Sequence, residues 1–161
     1  MMWKDLPTPC YVVDEGKIRK NLEILADLEQ ECGCHILLAQ KAFSMYSLYP
    51  MIGQYISGTT ASGLYEARLG YEEMGKENHV FAPAYKEKDM EELVQICDHI
   101  IFNSEKQLRT YLPVLKASGT AKAGFRINIR FFHMVDTGNQ AFDIVILTGD
   151  MMSASHVKPV H

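Results

Sequence analysis

Short apolar stretches alternate with amphipathic ones from the start of the chain to about Arg130. Cys10 to Asp14 reads as a strand. Gly16 to Gly33 reads as a helix with Ile18, Leu22, Leu25 and Leu28 on one face and Gly33 as its stop. His35 to Ala39 is the next expected strand. A helical stretch from Ser44 to Ile56 follows, kinked or bounded at Pro50, with Tyr46, Tyr49 and Tyr55 read as packing on it. The rhythm then repeats: strand Gly58 to Ser62, helix Leu64 to Met74 ended by Gly75, strand His79 to Ala82, helix Lys88 to Cys97. Strand His99 to Phe102, a helix from Ser104 (as N-cap) to Leu115, and strand Gly124 to Ile129 complete it. Strands and helices alternating at this pitch predict βα units and a parallel sheet, an α/β class.

The organisation changes after Arg130. Residues 131–161 hold one apolar run, Phe142 to Leu147, with no helical pattern behind it, and Met151 to His156 shows no periodicity. The expected division is therefore an α/β unit over 1–130 and an irregular, loosely ordered tail over 131–161. His133, His156 and His161 fall in that tail and receive no role.

Composition narrows the class without naming a chemistry. With 47% hydrophobic and 22% charged residues the chain has the make-up of an ordinary globular domain. Its net charge of −4 is interspersed, so nucleic acid and an anionic membrane are not expected partners. No apolar run approaches the ~18 residues of a membrane span, and Met1 to Pro7 lacks a secretory layout; the expected location is the cytoplasm. Four cysteines, Cys10, Cys32, Cys34 and Cys97, fit reduced structural thiols there. Cys32-Gly33-Cys34 is too tight for zinc-ligand spacing and has no second pair, so no metal site is expected.

One lysine stands out by position. Lys41 follows directly on the apolar strand Ile36-Leu37-Leu38-Ala39, and in a parallel α/β barrel the C-terminal strand ends face the active site. A lysine held there is expected to lose solvation, which lowers its pKa and frees the amine for covalent catalysis on a carbonyl. Ser62 and Glu66 lie where the next strand gives way to its helix. They can be read as cofactor contacts, or as a helix start with Glu66 at its positive end. Arg126 is charged within the apolar strand Gly124-Phe125-Arg126-Ile127-Asn128, where an unpaired charge is costly, so it is expected to face the barrel mouth. His79 and His99 begin their strands, the wrong end for barrel chemistry, and are read as structural.

The run Leu37-Leu38-Ala39-Gln40-Lys41-Ala42-Phe43-Ser44-Met45 resembles the Schiff-base strand of the carboxynorspermidine (carboxyspermidine) decarboxylases. The opening Leu6-Pro7-Thr8-Pro9-Cys10-Tyr11-Val12-Val13-Asp14, the segments Gly58 to Gly70 and Val80 to Lys86, and Ile100-Ile101-Phe102-Asn103-Ser104 are similar to the same family. The resemblance covers about Leu6 to Asn128. It implies a partial (β/α)8 barrel of the alanine-racemase type, cut after about five barrel strands, with pyridoxal 5'-phosphate (PLP) on Lys41 and Ser62, Glu66 and Arg126 near the cofactor. The implied reaction is decarboxylation of a carboxylated polyamine to norspermidine or spermidine, in a homodimer for full-length members. It also implies that Cys10 to Asp14 pairs with a C-terminal β-domain. The chain departs where family members continue Arg-Ile-Asn-Pro: Ile129 stands in place of the proline. Residues 131–161 offer no glycine-rich phosphate loop and no acid for the pyridine nitrogen, so truncation and impaired activity are expected. The alternatives are another barrel decarboxylase, such as one for diaminopimelate, and a non-catalytic PLP-binding remnant.

Overall fold

A computed structural model describes residues 6–129 and 142–147; the remainder of the 131–161 division lies outside them. Helix α1 (Glu15–Cys32) starts where the Asp14 side chain accepts a hydrogen bond from Lys17 N–H at 3.1 Å and stops at Gly33, whose φ of 61° is left-handed. Then come β1 (Leu37–Ala39), a 3-10 turn (Tyr46–Leu48), α2 (Tyr49–Ile52), β2 (Gly58–Ala61), α3 (Leu64–Glu73) and β3 (Glu77–Phe81). The chain continues through α4 (Glu87–Ile96), β4 (His99–Phe102), α5 (Glu105–Ser118), β5 (Lys122–Ile129) and β6 (Phe142–Leu147). Ser104 caps α5 as expected, accepting from Gln107 N–H at 3.2 Å.

The strands lie in one sheet in sequence order; β1 to β5 are parallel and β6 runs antiparallel to β5. Alternate residues point to opposite faces. Ala61, Val80, Ile100, Phe102 and Ala123 pack with Met90, Leu93 and Val94 of α4, Ala67 of α3 and Leu115 of α5 in the main core. A second cluster joins Leu22 of α1 to Tyr49, Met51, Ile52 and Ile56. Burying each such Leu, Ile or Phe side chain contributes about 2 kcal/mol, which holds the helices on one side of the sheet. On that side Asn78, fully buried, donates from Nδ2 to the carbonyls of Ala67 and Ile96, both at 2.9 Å, and accepts from the Thr59 hydroxyl at 3.1 Å. That network ties β3 to α3 and α4.

The close approach of elements depends on two glycines. A Cβ on Gly58 would come within 1.8 Å of the Glu77 carbonyl oxygen, and one on Gly70 within 2.3 Å of the Thr59 hydroxyl. Only a hydrogen side chain lets β2 lie this near β3, and α3 this near β2.

Three expectations are corrected. Cys10 to Asp14 is not a strand: it has no partner among the described residues, Tyr11 is fully exposed, and Asp14 is spent on capping α1. Ser44 to Ile56 is not one kinked helix: of the two readings at Pro50, the boundary is the one found. Pro50 sits in the first turn of the four-residue α2, where its missing N–H costs nothing, and the 3-10 turn precedes it. Leu28 is exposed rather than on the buried face of α1, and Tyr46 is exposed while Tyr49 is fully buried.

Candidate active site

The sheet face turned away from the helices carries the candidate residues in rows fixed by strand register. Ala39 pairs with Thr60, so Lys41 and Ser62 each lie two residues past a paired position. Thr60 pairs with His79, His79 with His99, and His99 with Lys122. Phe81, Ile101 and Gly124 form the next row toward the C-terminal strand ends, and Arg126 lies two residues further along β5.

Lys41 sits in a tight turn closed by the Ala42 and Phe43 N–H groups donating to the Ala39 carbonyl at 2.9 and 3.3 Å. Its position at the C-terminal end of β1 is the expected one, but the side chain is exposed, so the expected loss of solvation is absent. Its neighbour Gln40 is almost fully buried and receives a hydrogen bond from the Tyr49 hydroxyl at 3.3 Å on Oε1; its Nε2 has no partner among the described residues. Gln40 thus anchors the strand end from which Lys41 projects.

Ser62 and Glu66 are in direct contact. The Glu66 carboxylate accepts the Ser62 N–H at 2.7 Å, a reach-back from the first turn of α3 that matches the helix-start reading of this pair. Arg126 is half-buried with its guanidinium 5.0 Å from the centre of the Phe81 ring, a cation held over an aromatic face at the end of β3. Lys41 and Arg126 stand on the first and last of the five parallel strands.

Two features escaped the sequence reading. Tyr85 packs into the loop after β3, its hydroxyl accepting from Ala82 N–H at 3.1 Å within reach of the carbonyls of Val80 (3.1 Å) and Ile101 (2.8 Å). Burial pushes its pKa up, keeping it a neutral pin between the ends of β3 and β4. The second is Glu77, at the N-terminal end of β3. Its Oε2 lies 2.5 Å from His35 Nδ1, and its Oε1 lies 2.7 Å from His79 Nε2 and 3.5 Å from His99 Nδ1. Burial works to raise the Glu77 carboxyl, but the hydrogen bonds from His79 and His35 outweigh it and hold the group below the ordinary carboxylate range. Strand register brings the two histidines, at paired positions on adjacent strands, and a glutamate two residues before one of them to a shared face.

No family model matches the chain. It is 41% identical over 123 residues to the carboxyaminopropylagmatine decarboxylase of a Synechocystis species. It is 36% identical over 131 residues to the carboxynorspermidine/carboxyspermidine decarboxylase of Campylobacter jejuni, and 34% over 123 residues to that of Herminiimonas arsenicoxydans. These alignments cover 76 to 81% of this chain. Over that stretch the chain is related to the carboxynorspermidine/carboxyspermidine decarboxylases. It spans about a third of these relatives' length: 32%, 34% and 33% respectively.

The solved structure of carboxynorspermidine decarboxylase from Campylobacter jejuni, complexed with norspermidine, superposes on this decarboxylase relative with a TM-score of 0.70 at 36% identity. The match covers 73% of this chain and 31% of that one. D-threonine aldolase from Filomicrobium marinum superposes with a TM-score of 0.68 at 16% identity, over 78% of this chain and 36% of that one, a likeness of fold alone. With its five parallel strands and this likeness, the chain has the fold of a partial barrel of the alanine-racemase type. Among its described residues no helix is long and apolar enough to cross a membrane.

Proposed function

We propose that this chain carries the lysine-bearing part of a PLP-dependent decarboxylase acting on a carboxylated polyamine of the carboxynorspermidine and carboxyspermidine class. The observation that carries the reading is the placement of Lys41 two residues past the end of β1, at the C-terminal edge that Ser62 and Arg126 share, in a chain related to decarboxylases. The donor set fits the cofactor. An exposed primary amine suits an aldehyde, and the Arg126 cation suits a group with an anionic arm. Lys41 would hold the cofactor covalently, with Ser62, Glu66 and Arg126 around it. When bound, PLP supplies an electron sink for the pair released as carbon dioxide leaves.

The chain's own residues do the positioning. Gln40 fixes the strand end beneath Lys41, Glu66 fixes the turn that presents Ser62, and the Phe81 ring supports the Arg126 guanidinium. Release of carbon dioxide, a homodimeric assembly and a cytoplasmic location belong to the same proposal, as the family resemblance implies for full-length members. Free thiols at Cys10, Cys32 and Cys34, all exposed, suit a reducing compartment. A second substrate reading, a carboxyaminopropyl derivative of agmatine, is favoured by the 41% identity to a decarboxylase named for that compound.

The test is borohydride reduction of the chain mixed with PLP, followed by peptide mass spectrometry beside Lys41→Ala. A pyridoxyl mass on the Lys41 peptide is expected. Labelling spread equally over other lysines and unchanged in the variant would remove the cofactor assignment. Carbon dioxide release from carboxynorspermidine and from carboxyaminopropylagmatine then separates the two substrates.

A further inference from the structure

The buried polar group at the N-terminal end of β3 and β4 plays no part in the chemistry assigned to Lys41. One ligand atom from each of Glu77, His79 and His99 lies within 4.8 Å of the others, and Glu77 Oε1 is 2.7 Å from His79 Nε2 and 3.5 Å from His99 Nδ1. The three side chains are 21%, 11% and 14% exposed. The two imidazole centres are 4.2 Å apart, with the rings tilted by 49°. His99 Nδ1 is buried without a hydrogen-bond partner among the described residues, because its 3.5 Å approach to Glu77 lacks hydrogen-bond geometry.

We propose that Glu77, His79 and His99 form a binding site for one divalent transition-metal ion, with zinc the best match to the ligand set. Two neutral imidazoles and a carboxylate are the borderline donors such ions take, whereas magnesium and calcium prefer oxygen alone. Ligands about 2.0–2.1 Å from a tetrahedral zinc lie about 3.4 Å from one another. The Oε1–Nε2 distance of 2.7 Å must open by about 0.7 Å, and a spacing as wide as the 4.8 Å limit must close by up to about 1.4 Å, within reach of side-chain rotation. Bound metal would give the orphaned His99 Nδ1 the partner it lacks.

The strand backbone favours the arrangement. His79 and His99 are register partners on adjacent parallel strands, and Glu77 is two residues before His79 on the same face. All three therefore sit on sheet rather than loop, where ligand placement costs little further ordering. His35, exposed and bonded to Glu77 Oε2, would orient the carboxylate from outside. Burial is the largest cause that lowers the His99 pKa below its ordinary value, with His79 and Lys122 adding to it and Glu77 and Asp98 opposing; Lys122 also opposes an incoming cation.

The test uses the full chain with thiols blocked by iodoacetamide, so that Cys10, Cys32 and Cys34 cannot bind metal. Titration with Co2+ should give visible tetrahedral d–d absorption at one ion per chain, displaced by Zn2+. His99→Asn and Glu77→Gln, each verified as folded by circular dichroism, should weaken binding at least 10-fold. His156→Ala/His161→Ala should leave it unchanged. Absence of one-to-one binding overturns the proposal, as does binding that survives His79→Gln/His99→Asn or is lost with the tail histidines; the group would then be a proton-linked ion pair only. Because Lys41 is not involved, Lys41→Ala should bind Co2+ like the parent chain, whatever the outcome with PLP.

Discussion

The two ends of the sheet's open face are built on different principles. At the C-terminal strand ends, Lys41 and Ser62 are exposed on turns, and the groups that hold them are a buried glutamine behind and a reach-back carboxylate beside. At the N-terminal ends, Glu77, His79 and His99 are largely buried and touch one another directly. The first end offers free groups to a ligand on a rigid support; the second satisfies its polar groups internally, His99 excepted. Reactive residues can therefore be replaced at the first end without loss of fold, while changes at the second disturb the sheet itself.

The sharpest way to break this contrast is at Gly58, the first residue of β2, which lies against the Glu77 carbonyl. Gly58→Ala should destabilise the chain by about 3 kcal/mol, the upper range for overpacking, as read from denaturant midpoints. A shift under about 1 kcal/mol would mean that β2 and β3 separate easily, and the picture of a rigid N-terminal end would fail.

Acidity sharpens the comparison next. The folded Glu77 carboxyl is held below its ordinary value, so its contribution to stability is fully present above the usual carboxylate range and lost as pH falls through the folded pKa. Glu77→Gln should consequently cost most near neutrality, and its stability should converge on that of the parent chain as pH is lowered. A constant gap between the two curves from neutral to acid would show that Glu77 acts by packing alone.

The smallest effect is expected at the other end. Lys41→Ala should change stability by less than about 0.5 kcal/mol, as for an exposed side chain, while removing the attachment point proposed for PLP. A large loss of thermal stability in that variant would show Lys41 to be a structural residue instead.

The alternation of strand and helix was legible because each βα unit carries its own punctuation. Gly33, Gly75 and Ser104 mark ends where the φ angles and the Ser104 cap demand them. The position of Lys41 was readable for the same reason, since a strand's last apolar residue also marks its C-terminal end. Its exposure was not, because solvation is set by how neighbouring elements close over a strand end. Cys10 to Asp14 has strand composition, but a strand also needs a partner, and composition reports only propensity. The Glu77 group stayed hidden because it is assembled across β3 and β4, and only register reveals that His79 faces His99.

Strand order has a kinetic consequence. Each strand from β1 to β5 lies beside its neighbour in the chain, so each parallel pairing closes a whole helical crossover. Parallel pairing forms only after that crossover has closed, so it is slower than the packing of neighbouring helices, and a nascent chain can add each βα unit onto the one already formed. Lys41 is laid down with the first strand and Arg126 with the fifth, so the edge on which both stand is finished last, when β5 docks on β4.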